Sequence, residues 1–284
     1  MNARTKNTRN ASAYVELLRL NNGILAVLGI IIGAIVAGAF LPSTTLQIVL
    51  AIIAAFLING AGNVVNDYFD YRIDKVNRPN RPIPSGRIKR SSVAVYFAVL
   101  IAVSLMLAYF VSRDFLYLAV INSLVSFVYS WKLKGTPLVG NAAVSWLAGS
   151  TFAGGALVLH SFAALPAAVL LLASIGFLGT LSREIFKDIE DVKGDKEEKA
   201  RTLPIVIGNR GARAAASVVL LVGMASLLVP LYAGLFSAYY YVGIAPAIII
   251  CLLAVAKKTP HKSQKLIKIA MYFIFLGFIL GTVL

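Results

Sequence analysis

The sequence predicts an all-α, multi-span integral membrane protein: about nine transmembrane helices in a bundle, with two related halves around a central cavity. The 284-residue chain is 59% hydrophobic and 14% charged, and its mean hydropathy is +0.81. A soluble domain averages about 25% charged residues. Uncharged stretches of roughly 17–23 residues recur, each able to cross a hydrocarbon core about 30 Å thick. An aspartate pattern in the first half returns in the second half.

The basic residues predict how the spans are oriented. The candidate spans are centred near residues 30, 56, 102, 123, 148, 172, 225, 247 and 275. If these nine spans alternate in direction, 26 of the 27 Lys and Arg lie on one side and Arg113 alone lies on the other. Because Lys and Arg accumulate in cytoplasmic loops, we expect a cell-membrane protein with a cytoplasmic N-terminus and an outer C-terminus.

The net charge of +15 has a simple explanation in such a protein. Basic cytoplasmic loops contact anionic membrane lipid, and no sequence motif for nucleic-acid binding is present. The single cysteine, Cys251, lies in an apolar run and excludes a disulfide within the chain. Nothing in the sequence indicates an obligate protein partner.

Most of the acidic residues lie in two short segments, NDYFDYRID and SREIFKDIEDVKGD. Each segment carries three aspartates at the spacing i, i+3, i+7, and each aspartate of the second follows its counterpart by 121 positions. The triplets are Asp67, Asp70 and Asp74, and Asp188, Asp191 and Asp195. The repeat predicts a single membrane domain, 1–284, with halves at roughly 12–135 and 136–260 and a final helix at 263–284.

The spacing of the aspartates predicts a metal–diphosphate site. On a helix, positions i, i+3 and i+7 lie within an arc of about 60°, so each triplet forms one acidic stripe. Six clustered carboxylates repel one another unless cations lie between them. Oxygen ligands without Cys or His favour Mg²⁺, which proteins hold through a few carboxylates and the substrate's phosphates. Lys and Arg beside both triplets could bind the diphosphate, and the apolar helices could hold a polyprenyl tail.

These two segments resemble the aspartate-rich signatures of the UbiA superfamily of intramembrane prenyltransferases. The first signature is N-D-x-x-D-x-x-x-D and the second is D-x-x-D-x-x-x-D, on inner loops after the second and sixth spans. The resemblance implies a Mg²⁺-dependent prenyltransferase, with all six aspartates catalytic. It further implies metal ligands at Asp67, Asp70, Asp188, Asp191 and Asp195.

Substrate-binding residues follow from the same resemblance and from the adjacent basic residues. Family members often carry Y-x-x-x-K after the fourth span; here YSWKLK places Lys132 one position early and Lys134 one position late. The predicted substrate-binding residues are Arg19, Asn22, Asn63, Asn66, Arg78, Arg81, Tyr129, Lys132 and Lys187.

The residues in and around the motifs are most similar to those of one branch of the superfamily. NRPNRPIPSGRI and EDVKGD resemble the geranylgeranylglyceryl-phosphate geranylgeranyltransferases of archaeal lipid synthesis. That branch implies transfer from geranylgeranyl diphosphate to the hydroxyl of geranylgeranylglyceryl phosphate, forming the second ether bond. Alternative acceptors are 4-hydroxybenzoate, dihydroxynaphthoate and chlorophyllide. A cation transporter is the non-enzyme alternative, although its acidic residues would be expected near the membrane midplane.

The inner loops carry more cations than one diphosphate can use. An acceptor phosphate would add a second anion beside the first, and two anions repel unless further cations separate them. Lys132 and Lys134 are the residues that we expect to hold the acceptor phosphate.

The charge pattern predicts which loops are accessible from each side. In a chain without Cys251, a cysteine at Ser161 should react with an impermeant label from the outside. Cysteines at Ser85 and Asn209 should react only after the membrane is opened, because the basic loops that carry them face the cytoplasm. Outside labelling at either of these two positions would contradict the orientation.

Overall fold

The computed structural model describes residues 12–197 and 199–283, except for the side chains of Asn22 and Val283. Every regular element within these residues is helical. The α-helices are α1 (Ser12–Leu18), α2 (Leu20–Val36), α3 (Thr45–Phe69), α4 (Tyr71–Asn77), α5 (Arg90–Val111), α6 (Arg113–Val128), α7 (Val139–Ala156), α8 (Ala167–Glu197), α9 (Leu203–Ser226), α10 (Val229–Tyr232), α11 (Tyr240–Ala256) and α12 (Pro260–Val283). A π-helical turn, Tyr129–Leu133, follows α6, and short 3₁₀ turns precede α3 and α8.

The helices confirm the prediction of an all-α membrane protein. Among the described residues, six segments are long and apolar enough to cross a membrane; they contain α3, α5, α6, α8, α9 and α12. Helices α1 and α2 form a seventh segment if the pair, bent by 54°, is counted as one span. Helices α7 and α11 lie at two further predicted centres. Nine membrane crossings and two repeat halves stay predictions.

The helices enclose a cavity because α2 and α8 each pack against several others. Helix α2 packs against α3 and α7, and α8 packs against α7, α9 and α12. Helices α5 and α11 lie farther out, against α3 and α12 respectively. The apolar faces of α2, α3, α7 and α8 meet in one core around residues such as Ile32, Phe152 and Leu172.

Glycines bring α2 and α7 into backbone contact. A Cβ at Gly33 would lie 2.0 Å from the carbonyl oxygen of Phe152, and one at Gly155 would lie 2.1 Å from that of Ile30. Small residues at such crossings let membrane helices approach closely. This contact fixes one wall of the cavity.

Replacing Gly155 with Ala should destabilise the protein by about 1–3 kcal/mol, because the added methyl overpacks a backbone contact. The measurement is the thermal unfolding midpoint in detergent. Gly179→Ala is the matched control, since a Cβ there would meet only the end of Met271 at 3.6 Å. Equal midpoints for the two variants would show that the α2–α7 contact is not tight.

Candidate active site

A cavity of about 880 Å³ runs between α2, α3, α6, α7, α8 and α12. Both aspartate triplets contribute to one end of it. Apolar side chains line the other end, where α6 and α8 begin and α12 approaches its last turns; they include Phe115, Leu118, Phe152, Ile175 and Phe278. The cavity therefore joins a charged end to an apolar interior, which suits an amphipathic ligand.

The first triplet lies where α3 ends. Helix α3 ends at Phe69, and α4 begins at Tyr71. Asp67, Asp70 and Asp74 are all buried, with 4%, 7% and 5% of their surface exposed. Buried carboxylates require cationic or hydrogen-bonding partners, and each of these three has at least one.

Three separate segments supply the cations for this triplet. Arg81 Nη1 lies 2.5 Å from Asp74 Oδ2 and 3.2 Å from Asp67 Oδ1. Arg19 also pairs with Asp67, from a left-handed backbone position (φ 49°) that separates α1 from α2. Lys134 donates to Asp70 Oδ2 at 2.5 Å, although it lies 64 positions after Asp70 in the sequence.

The second triplet lies on a continuous helix, α8. Asp188 accepts a hydrogen bond from Asn141 Nδ2 at 2.8 Å, and Asp195 accepts one from Thr202 Oγ1 at 3.0 Å. Asp191 lines the cavity and is exposed. The hydrogen-bond donors to this triplet are therefore neutral, whereas those to the first triplet include cationic side chains.

Four of the six aspartates line the cavity: Asp70, Asp74, Asp191 and Asp195. The first member of each triplet, Asp67 or Asp188, is not among the lining residues, and the catalytic and metal-binding roles predicted for the six aspartates stay predictions. Arg19 and Arg81 bind Asp67, and Asn141 binds Asp188, so these two carboxylates support the cavity wall. The two triplets thus share a pattern in which the second and third members face the cavity.

The structure places most of the predicted substrate-binding residues on the cavity. The lining includes Arg19, Asn63, Asn66, Arg78, Arg81, Tyr129 and Lys187. The side chain of Asn22 lies outside the described part of the chain. The neighbouring Asn21 is among the lining residues.

Lys134, rather than Lys132, reaches the cavity. Lys132 is not a lining residue, and its ammonium nitrogen lies 4.2 Å from the centre of the Trp131 ring. The cause is the π-turn: Lys134 N–H donates to the carbonyl of Tyr129 at 2.9 Å, an i to i+5 bond. In that geometry residues five apart lie close together, so Lys134 lies on the same face as Tyr129. An α-helical turn would have placed Lys132 on that face instead.

Sequence reasoning missed several charged residues of the cavity. Arg183 and Glu184 lie on α8 one turn before the second triplet, and Lys268 lies on α12. One signal in the sequence could have found them: these charged residues lie outside the motifs but inside otherwise apolar spans. A charged side chain within a membrane span is energetically costly, so its presence there indicates a functional site.

Asn66 provides an independent sign that a cation belongs at this end. Its Oδ1 is buried and accepts no hydrogen bond, whereas its Nδ2 donates to Asp70 Oδ2 at 3.1 Å. A buried oxygen without a donor is destabilising. Carboxylate and amide oxygens together form the donor set that Mg²⁺ prefers.

Comparisons with known proteins agree with the sequence motifs. Residues 26–279 match the model of the UbiA prenyltransferase family. The digeranylgeranylglyceryl phosphate synthase of Methanothermobacter thermautotrophicus is 38% identical, over 95% of each chain. That of Methanopyrus kandleri is 39% identical over 94% of this chain and 98% of its own.

Solved structures show the same fold. A structure of digeranylgeranylglyceryl phosphate synthase has a TM-score of 0.80 and 33% identity, covering 96% of this chain and 99% of its own. A UbiA homolog from Archaeoglobus fulgidus, bound to DMAPP and Mg²⁺, has a TM-score of 0.69 and 17% identity, covering 96% of this chain and 100% of its own. The family model matches most of the chain, the relatives are similar over nearly their whole length, and the fold is shared. This chain therefore belongs to the UbiA prenyltransferase family.

Proposed function

We propose that this prenyltransferase moves a geranylgeranyl group from geranylgeranyl diphosphate to the hydroxyl of geranylgeranylglyceryl phosphate. The product would carry the second ether bond of an archaeal membrane lipid. The observation that carries the proposal is a cavity that joins carboxylates of both triplets to a long apolar interior. The names of the most similar relatives support the choice of substrates.

The residues present fit Mg²⁺ at the charged end. Within the described residues, no three acidic, His or Cys side chains converge closely enough to hold a metal unaided. Mg²⁺ commonly needs one or two carboxylates and completes its shell with substrate phosphates and water. Asp70 and Asp74 on one side and Asp191 and Asp195 on the other would hold the ion, with Asn66 Oδ1 beside them. Bound there, Mg²⁺ would neutralise the charge of the diphosphate.

The cations at this end would stabilise the leaving group. Arg78, Arg81, Lys134 and Lys187 line the cavity among the carboxylates. As the allylic C–O bond of the donor breaks, negative charge grows on the diphosphate oxygens, and preorganised cations stabilise that charge. The diphosphate is thereby released, the acceptor's hydroxyl oxygen bonds to C1 of the prenyl cation, and the hydroxyl proton passes to the released diphosphate or to a nearby carboxylate.

The apolar interior has two tasks. It binds the prenyl chain, gaining about 25 cal/mol per Å² of apolar surface removed from water. It also excludes water, which would otherwise capture the allylic cation. Phe152 stacks with Phe275 (ring centroids 5.7 Å apart) and Phe278 packs edge-on against it, so aromatic faces line this part of the cavity.

The same cavity could accept a flat aromatic acid, and family membership alone does not separate the two kinds of acceptor. Family membership does favour an enzyme over the cation transporter that the sequence left open. Supplying purified protein with geranylgeranyl diphosphate, Mg²⁺ and a panel of acceptors separates the cases. Prenylation of geranylgeranylglyceryl phosphate supports the proposal; prenylation of 4-hydroxybenzoate alone contradicts it.

We place the charged end of the cavity and the N-terminus on the cytoplasmic side. The support is the sequence: 26 of 27 basic residues fall on that side when nine spans alternate. Both substrates are anionic at one end, so a charged cavity mouth on the basic side would also attract them.

Removing the metal should abolish transfer. Excess chelator should stop turnover and added Mg²⁺ should restore it, because carboxylates alone repel a diphosphate. Asp70→Asn should raise the Mg²⁺ concentration for half-maximal rate by about tenfold or more. Asp114→Asn should leave it unchanged, because this aspartate binds the Phe162 N–H at the start of α6, outside the cavity lining and at the end of α6 opposite the triplets. Full activity in chelator would contradict the mechanism.

Lys134 and Lys132 offer a matched pair for a second prediction. Lys134→Gln should lower turnover about 10- to 100-fold, since charge-assisted hydrogen bonds contribute roughly 1.5–3 kcal/mol. Lys132→Gln, two residues away on the outside of the π-turn, should retain nearly full activity. The readout is turnover at saturating donor and acceptor. A larger loss at Lys132 would mean that the π-turn does not set the register.

A further inference from the structure

A second group of charges lines the cavity beyond the aspartate triplets. Glu184 is 6% exposed and lies between two cations: it accepts from Arg183 Nη1 at 2.6 Å and from Lys187 Nζ at 3.3 Å. All three residues line the cavity. The Arg183 Nε is buried and has no hydrogen-bond partner. This guanidinium therefore retains an unused donor in a setting where unpaired donors are costly.

Lys268 brings a further cation to this group from α12. Helices α8 and α12 pack together, with Gln264 Nε2 3.4 Å from Glu190 Oε2 and Met271 beside Gly179. Because residue numbers rise along one helix as they fall along the other, the helices are antiparallel. Lys268, between these contacts, is level with about residues 182–186 of α8. It lines the cavity and, within the described chain, has no carboxylate within 4 Å.

The charges of this group do not balance. Within the group Arg183, Lys187 and Lys268 are positive and Glu184 is negative, while the lining carboxylates Glu190 and Asp191 lie beyond Lys187 along α8. Lys187 also interacts with Asp191 and so serves the charged end where the triplets meet. Arg183 shares Glu184 with Lys187, and Lys268 has no carboxylate partner in the described chain, so positive charge is in excess beside an apolar interior, where an anion would be stabilising. A phosphomonoester carries about −1.5 to −2 charge at pH 7 and three acceptor oxygens, which suits two cations and a free N–H.

We propose that Arg183 and Lys268 bind the phosphate of the acceptor, a prenylated glycerol phosphate, at a subsite separate from the diphosphate site. This subsite rests on the function proposed above. Arg183 precedes Asp188 by five residues, or about 7.5 Å along the helix. An acceptor phosphate held there would lie apart from the diphosphate while the neighbouring hydroxyl reaches the prenyl C1. The subsite replaces Lys132 and Lys134, which contact Trp131 and Asp70 instead.

Glu184 is a positioning residue in this arrangement. Its carboxylate fixes Nη1 of Arg183, and the other N–H groups of the guanidinium are left for another acceptor. Arginine suits this task because its guanidinium offers five donors in one plane, so one edge can bind Glu184 and another a phosphate. A preference for the phosphorylated acceptor over its alcohol would follow, since an acceptor without the phosphate leaves Lys268 unpaired and Arg183 paired with Glu184 only.

The test measures binding without turnover. Purified protein in detergent with chelator, lacking donor, is titrated with geranylgeranylglyceryl phosphate and with the dephosphorylated alcohol, geranylgeranylglycerol. The wild-type protein should bind the phosphate form about tenfold or more tightly than the alcohol. Lys268→Gln and Arg183→Gln should each reduce that preference severalfold and leave affinity for the alcohol unchanged. Lys265→Gln, at an exposed residue of α12 outside the cavity lining, is the matched control and should keep the full preference.

The variants are chosen so that a folding defect cannot decide the outcome. Arg183→Gln breaks an ion pair with a buried glutamate, whereas Lys268→Gln breaks none, so Lys268→Gln carries the test alone. An unchanged phosphate preference in Lys268→Gln would overturn the subsite. Turnover separates the two proposals: if wild type prenylates the glyceryl phosphate and the variants keep their preference, the subsite is wrong and the function stands. If wild type prenylates only other acceptors, both are wrong.

Discussion

The contact of Arg81 with two aspartates of the first triplet is the interaction on which the charged end depends. Asp67 lies on α3 and Asp74 on α4, so one guanidinium ties two helices together across the break at Asp70. Carboxylates this buried are stable only when paired. Arg19 and Lys134 complete the pairing, and they bring the α1–α2 bend and the π-turn to the same place. Residues from two distant segments, Arg19 and Lys134, thus meet the acidic cluster together with the nearby Arg81.

This pairing gives the site a balanced charge before any ligand enters. Under the proposed function, ligand binding would be an exchange of partners, in which phosphate oxygens take over the guanidinium and ammonium groups of this triplet and the released carboxylates would hold Mg²⁺. Such an exchange would cost less than creating a charged site from isolated groups, because these three carboxylates would be paired before and after it.

The sequence predicted the parts of this protein that depend on periodicity. Hydropathy located the helices, and the recurrence of the aspartates at 121 positions located both sides of the charged end. The register after α6 escaped prediction because a π-turn changes the spacing from four residues to five, and no residue type in YSWKLK marks that change. Asp67 pairs with Arg19 and Asp188 accepts a hydrogen bond from Asn141. These contacts join residues that are distant in sequence, so only tertiary packing reveals them. In the sequence, Lys268 cannot be distinguished from the other basic residues near it. Its position on the cavity depends on the antiparallel packing of α8 and α12.

The position of α12 has a consequence for biosynthesis. This helix contributes Lys268 and the aromatic residues Phe275 and Phe278 to the cavity, yet it is synthesised after α2, α3, α6, α7 and α8, which form the other walls. Until α12 has left the ribosome and packed against α8, the nascent protein exposes an incomplete apolar groove to lipid, and water is not excluded from it. The compartment that would exclude water from a carbocation is therefore complete only after this last wall has packed, which places its closure late in the synthesis of the chain.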